Sequence, residues 1–347
     1  ATCPAGKRMC ERLKPSTDII EIERSQTETG DALKRVYQHG SISFSGVYPI
    51  GEAMKRVAVG ASLSIPELLD IAKLLNVAKN ARQYGEKSSE STIAVTGAHG
   101  RGEKDSAGMD EGTEASGADS LTGYFESLMP LEHLAREINR CILSEDEIAD
   151  DASSELKDIR RNMKAINSKV HEALTGIVSK QTNQSMLQDS IITMRNGRYC
   201  IPVKSEYKGQ FPGMVHDQSS TGSTLFIEPM SVVKINNDLK ELDLKEQEEI
   251  EIILARLSAE SALYIEAIDT DLKVLAKLDF IFAKALLAKE MNASEPIFNT
   301  HGNIYIKDAR HPLLDKKKAV PITVSLGRDF DLLVVTGPNT GGKTVSL

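Results

Sequence analysis

The sequence predicts a mostly α-helical chain with a small β-hairpin region and a long lever or coiled-coil helix, followed by the truncated start of an α/β P-loop domain. Three observations carry this. No Pro or Gly interrupts the helical pattern between residues 230 and 291. Asn196-Gly197 separates two β-rich runs at 191–195 and 198–203, the strongest short-range hairpin signal. Residues 331–336 form an apolar run of the kind that makes a buried parallel strand, and a glycine-rich loop follows it directly.

Taken in order, residues 1–83 read as a helical core. Arg8 to Leu13 is amphipathic, and Lys14-Pro15-Ser16 ends it. Ser16 or Thr17 is predicted to cap the next helix, with Glu21 closing a capping box. Ser64 repeats that logic ahead of Pro66 and Glu67. It opens a helix whose Leu68, Ile71, Ala72, Leu75 and Ala78 share one face. Residues 84–123 turn to Gly, Ser, Glu, Asp and Ala and hold few large apolar side chains. They are predicted to be a disordered low-complexity insertion, because they cannot bury enough surface to offset chain entropy. The helical core resumes at 124–152.

Residues 153–230 begin with another long helix. Leu156, Ile159, Met163, Ile166, Val170 and Leu174 recur at three- and four-residue steps, while Arg160, Arg161, Lys164 and Lys169 project elsewhere as a solvated face. The hairpin follows. A type I′ turn at Asn196-Gly197 sets Arg195 opposite Arg198, which costs free energy unless an anion lies nearby. A second extended pair is predicted around Ser219-Ser220-Thr221-Gly222. The lever helix at 231–292, if continuous, spans about 90 Å. Its apolar stripe lapses at Lys245-Glu246-Gln247-Glu248-Glu249. Residues 293–347 carry short strand candidates at 304–306 and 322–324 before the 331–336 run.

Composition narrows the function classes. Of 347 residues 40% are hydrophobic but only 5% aromatic, with no Trp, so aliphatic helix interfaces are expected rather than a base-stacking surface. Cys3, Cys10, Cys141 and Cys200 stand apart without a C-x-x-C pair, which points to free thiols of a cytoplasmic protein, not a disulfide frame or zinc site. No apolar run approaches the ~20 residues of a membrane span, and no leader pattern opens the chain. The net charge of −8 confines any nucleic-acid contact to a local basic surface. Arg195, Arg198, Lys204 and Lys208 supply one, facing the single acid Glu206 between Ser190 and His216; the alternative is a solvated hairpin.

Gly337-Pro338-Asn339-Thr340-Gly341-Gly342-Lys343-Thr344 matches G-x-x-x-x-G-K-[ST] at every fixed position. Glycines allow a tight turn whose amide N–H groups face a polyphosphate, Lys343 supplies a compact charge to the β- and γ-phosphates, and the Thr344 hydroxyl ligates Mg²⁺. The expected cofactors are ATP and Mg²⁺. Lacking an initial Met and stopping three residues after Thr344, the chain is expected to be part of a longer parent.

The loop, with Asp308-Ala309-Arg310-His311-Pro312-Leu313-Leu314 upstream, resembles the MutS ATPase superfamily. Ile192-Thr193-Met194-Arg195-Asn196-Gly197-Arg198-Tyr199, Val215-His216-Asp217-Gln218-Ser219 and Thr224-Leu225-Phe226-Ile227-Glu228-Pro229 narrow the resemblance to its bacterial MutS-two branch, across nearly all of the chain except 84–123. That likeness implies a homodimer with core, lever, clamp and ABC-like ATPase regions and a C-terminal Smr nuclease domain. The parent would be an ATPase acting on branched DNA, suppressing recombination, or on collided ribosomes. It also places Ile322 against adenine and makes 153–230 the clamp and its neighbourhood. His311 is given a structural role. The Phe-x-Glu triplet at Phe226 is read as coincidence, so mismatch reading is not implied. Within 1–347 no catalytic residue is assigned and no turnover is expected. A chromosome-organising coiled-coil ATPase and a helical interaction module are the alternatives.

Overall fold

The computed structural model describes residues 1–96, 119–315 and 318–337. The first helices follow from local sequence. α1 (Pro4–Glu11) is capped by Cys3, whose Sγ accepts from the Gly6 N–H, and α2 (Ile19–His39) is capped by Asp18, which accepts from Ile20 and Glu21. Asp18 therefore replaces the expected Ser16 or Thr17, being adjacent to the first helical residue. Ser16 Oγ instead holds Glu21 at 2.7 Å. After α3 (Gly51–Ala58), the Glu67 carboxylate accepts from both the backbone and hydroxyl of Ser64 at the start of α4 (Ile65–Thr96), which is half of the anticipated box. Leu68, Ile71, Ala72, Leu75 and Ala78 are all buried.

α4 continues through Thr96, so residues 84–96 are helical and not part of a loop. At its start, the Tyr84 ring meets Phe125 and Phe282 in the core. On the far side of the segment, Asp119 pairs with the buried Arg35 and Leu121 is buried. Residues 97–118, most of the predicted insertion, lie outside the described residues.

α5 (Thr122–Glu126) and α6 (Glu132–Cys141) complete the first core, and a short hairpin, β1 (Ile142–Ser144) with β2 (Glu147–Ile148), leads to α7 (Ser154–Val178). After the one-turn α8 (Gln181–Gln184) comes a four-stranded antiparallel sheet in the order β3-β4-β6-β5. Its strands are β3 (Thr193–Arg195), β4 (Arg198–Lys204), β5 (Gly213–Gln218) and β6 (Thr224–Pro229). Ile201, Val203, Leu225 and Ile227 from one face of the sheet join Val170 and Leu174 of α7 in a second hydrophobic core.

The long helix is interrupted. α9 (Val233–Ala262) and α10 (Ile265–Met291) are separated at Leu263-Tyr264. Neither Pro nor Gly marks the position. The Ser258 and Ser261 hydroxyls donate back to the Leu254 and Leu257 carbonyls just ahead of the break; Thr27 and Thr29 make the same backward bonds within the continuous α2. The Tyr264 ring is held against His133 at 5.2 Å.

α9 lies antiparallel to α7. Ser153 bonds Glu249 and Arg160 bonds Glu246, so residues that advance along one helix meet residues that retreat along the other. The polar lapse in the α9 stripe is therefore the seam where α7 docks, and Arg160 belongs to that seam rather than to a solvated face. α10 packs on α2, α1 and α4. Finally β7 (Ile304–Ala309) and β8 (Ile322–Leu326) pair antiparallel. The expected parallel strand at 331–336 is not formed: the segment has no ladder partner among the described residues, and Leu332 and Val334 are 78% and 71% exposed. A parallel strand is stable only between neighbours that cover both faces.

Candidate functional site

The β7–β8 hairpin precedes the glycine-rich segment in the chain. Ile322 stands at the start of β8 opposite Ala309 and is 37% exposed. His311 shapes the turn after β7, where its Nδ1 accepts from the Leu313 N–H at 3.2 Å and its carbonyl accepts from Leu314. Gly337 has φ +148°, a backbone conformation open to glycine, at the point where the extended 331–336 segment turns. Pro338, Asn339, Thr340, Gly341, Gly342, Lys343 and Thr344, and with Thr344 the expected Mg²⁺ ligand, lie outside the described residues. Among the described residues no group of three or more His, Cys, Asp or Glu side chains is arranged to hold a metal.

The hairpin sheet can be read atom by atom. Asn196 and Gly197 have φ +52° and +71°, so the turn is type I′ and its right-handed twist matches the strands. Arg195 does stand opposite Arg198, and each has its own counter-charge. Arg195 Nε lies 3.2 Å from Asp217, and its guanidinium sits over the Phe226 ring at 4.2 Å. Arg198 Nη1 donates to both oxygens of Glu228, at 2.8 and 3.2 Å, and its Nη2 donates to Asn237. Lys204 donates to the Ser185 carbonyl at 3.0 Å, whereas Lys208 is exposed past a one-turn 3₁₀ segment at Ser205–Tyr207. The four predicted cations are thus divided. The two arginines face acids from β5 and β6, outside the stretch in which only Glu206 stood against them.

Glu228, which stands in the 224–229 segment that carries the family resemblance, is the hub of this region. It is fully buried, and Arg198, His216 Nε2 (2.5 Å) and Asn236 Nδ2 (2.7 Å) converge on its carboxylate. Asn236 also exchanges bonds with the backbone N–H and carbonyl of Tyr199. Because Asn236 lies in the first turn of α9, the network ties the sheet directly to the helix. The Asn196 side chain reaches the His216 carbonyl, and the Tyr199 hydroxyl donates to Asn167 of α7. Burial beside Glu228 pushes the Cys200 thiol up to about 11, so Cys200 is an inert core thiol. The opposed arginines were the sequence signal for a nearby carboxylate; which one it would be required the β4–β6 register.

No protein-family model matches the chain. Among curated proteins it is 50% identical over 347 residues to "Endonuclease MutS2" of Agathobacter rectalis, which covers all of this chain and 41% of that protein. It is 47% identical over 347 residues to the protein of the same name in Lachnospira eligens, covering all of this chain and 40% of that protein. With the one from a Geobacillus strain it shares 40% over 342 residues, 99% of this chain and 41% of that relative. The chain thus spans about two-fifths of the length of these relatives. Identity at this level from one end of the chain to the other places it in the MutS2 branch of the MutS superfamily.

Proposed function

We propose that the chain is the core, clamp and lever portion of an ATP-driven clamp. In this reading, ATP and Mg²⁺ held at Gly337–Thr344, with Ile322 against the base, change the posture of α9 and α10 and thereby the grip of the β3–β6 sheet on nucleic acid. The observation that carries it is the Glu228–Asn236 bond, which fastens the sheet to the first turn of the helix that leads toward the nucleotide loop. A rigid fastening is what transmission needs, since a loosely tethered sheet would not follow a helix movement of an ångström or two.

The substrate class is branched DNA or a collided ribosome, gripped by a homodimer of the parent protein and without mismatch reading. The relatives' name supports a nuclease activity in that parent, in a domain outside residues 1–347. Lys208 is the cation of the sheet region best placed to meet phosphate, with the half-exposed Arg195 and Lys204 beside it, because Arg198 is engaged with the buried Glu228. The interruption at Leu263-Tyr264 disfavours a chromosome-organising coiled-coil arm, which needs an unbroken heptad run.

Equilibrium binding of labelled ATP to the full-length protein tests the reading. The wild type should bind with Mg²⁺ and Lys343→Ala should lose about tenfold or more. Equal affinity in both proteins would remove the nucleotide loop from the account. The isolated 347-residue chain should show no turnover.

A further inference from the structure

A cleft of about 570 Å³ opens between α1, the 12–18 turn, α2, α10 and residues 293–296, in the helical core and away from the hairpin sheet. Its walls are largely apolar, with Met9, Leu13, Ile22, Leu33 and Phe280 among them. Its charge runs against that of the chain. Lys14, Arg24, Lys277 and Lys284 line it against only Glu21 and Glu295, and a recess continuous with it adds Arg8 and Arg12. On a chain of net charge −8 this is a concentrated positive patch.

These cations differ in their partners. Lys277 is paired with the buried Glu28 at 3.0 Å. Lys284 is half-buried, lies over the Phe280 ring at 4.9 Å and donates to the Ser25 carbonyl at 3.4 Å; no carboxylate approaches it within ion-pair distance among the described residues. Burial, and after it the neighbouring Lys277, lowers the pKa of its ammonium group. Glu28 acts on Lys284 only at longer range and is itself paired with Lys277. A half-buried cation in a concave apolar site with no carboxylate in contact is a group whose environment an anion would improve. The volume is that of an ordinary small-molecule site, and an apolar body with one charged end matches the lining.

We propose that this cleft binds an organic anion with an aliphatic or aromatic body, its charged end held by Lys284 and Arg24 and its body laid against Leu33 and Phe280. The site is separate from the phosphate loop and does not depend on it. Gly30 offers a clean way to close the cleft. It lies inside α2, it lines the cavity, and a Cβ built there meets only the Glu295 carboxylate, at 3.7 Å. A side chain at this position also favours the helix over glycine.

The test uses anilinonaphthalene sulfonate fluorescence on the 347-residue chain, with dodecanoate and dodecanol as competitors. The dye should bind the wild type and be displaced by dodecanoate at a concentration about tenfold or more below that needed for dodecanol. Lys284→Met, which keeps the apolar stem, should weaken dodecanoate about tenfold, and Gly30→Phe should abolish saturable binding while melting as the wild type does. Equal competition by alcohol and acid, or undiminished dodecanoate binding by Lys284→Met, overturns the proposal, and the lysine variant decides it even if Gly30→Phe fails to fold.

Discussion

Arg198 reaches thirty residues along the chain to Glu228, and the two groups meet where β4, β6 and the first turn of α9 converge. The carboxylate is fully buried while the guanidinium keeps partial access to water, so Arg198, His216 and Asn236 together repay the cost of removing Glu228 from solvent. Glu228→Ala should cost about 3 kcal/mol of stability, because it strands three polar partners at once. Urea denaturation followed by circular dichroism measures this. A loss below about 0.5 kcal/mol would mean that water replaces the carboxylate without penalty.

A second prediction concerns pH. Asp271 of α10 is buried; one carboxylate oxygen accepts from the Met129 N–H at 2.8 Å and the other has no hydrogen-bond partner. Burial pushes its pKa up to about 6 against the opposing pull of the Met129 bond and Arg82. The native state thus favours the protonated acid. The associated stability is fully present below the ordinary carboxylate range and is lost as pH rises through about 6. Asp271→Asn should therefore gain on the wild type by on the order of 1–3 kcal/mol between pH 5 and pH 8. Denaturation curves at the two pH values check this, and a difference that does not vary with pH would contradict it.

A third concerns the N-terminal helix. Asp279 of α10 accepts from the backbone N–H groups of Thr2 and Cys3, and Gly6 passes so close to this carboxylate that a Cβ would collide with it. Gly6→Ala should displace α1 and cost about 1–3 kcal/mol despite the better helix propensity of Ala. Faster amide hydrogen exchange over residues 3–11 should accompany the loss.

A fourth concerns the helix break. Ser258 Oγ accepts from the Leu63 N–H at 2.8 Å, besides donating to Leu254. Ser258→Ala leaves a buried amide without its acceptor and should cost about 1–3 kcal/mol. Ser261→Ala, whose hydroxyl bonds only its own helix, should cost less. Thermal melts of the two variants rank them.

What the sequence revealed divides along physical lines. Local signals were legible: the Asn196-Gly197 turn, the buried stripe from Leu68 to Ala78 and the two short strands at 304–306 and 322–324, though not their pairing, all arise within one element or between neighbours. Nonlocal ones were not. Nothing within residues 230–291 marks the interruption at Leu263-Tyr264, where neither Pro nor Gly stands. The composition of 84–96 hides the continuation of α4, at whose start Tyr84 packs against the distant residues 125 and 282. The apolar run at 331–336 carries a strand pattern, but a pattern becomes a strand only when neighbours pair with it. At the candidate site, the opposed arginines called for an anion nearby, read in the sequence as phosphate, while the internal partner Glu228 depended on a register formed between distant segments.

The central claim is that nucleotide held beyond Gly337 governs the grip of the sheet. The affinity of the full-length protein for a four-way DNA junction, measured with and without Mg²⁺-ATP in wild type and Lys343→Ala, tests it most directly. The account predicts that ATP shifts wild-type affinity by about fivefold or more, corresponding to a coupling of roughly 1 kcal/mol, and leaves Lys343→Ala unmoved. Junction binding by the wild type that is indifferent to ATP would contradict it.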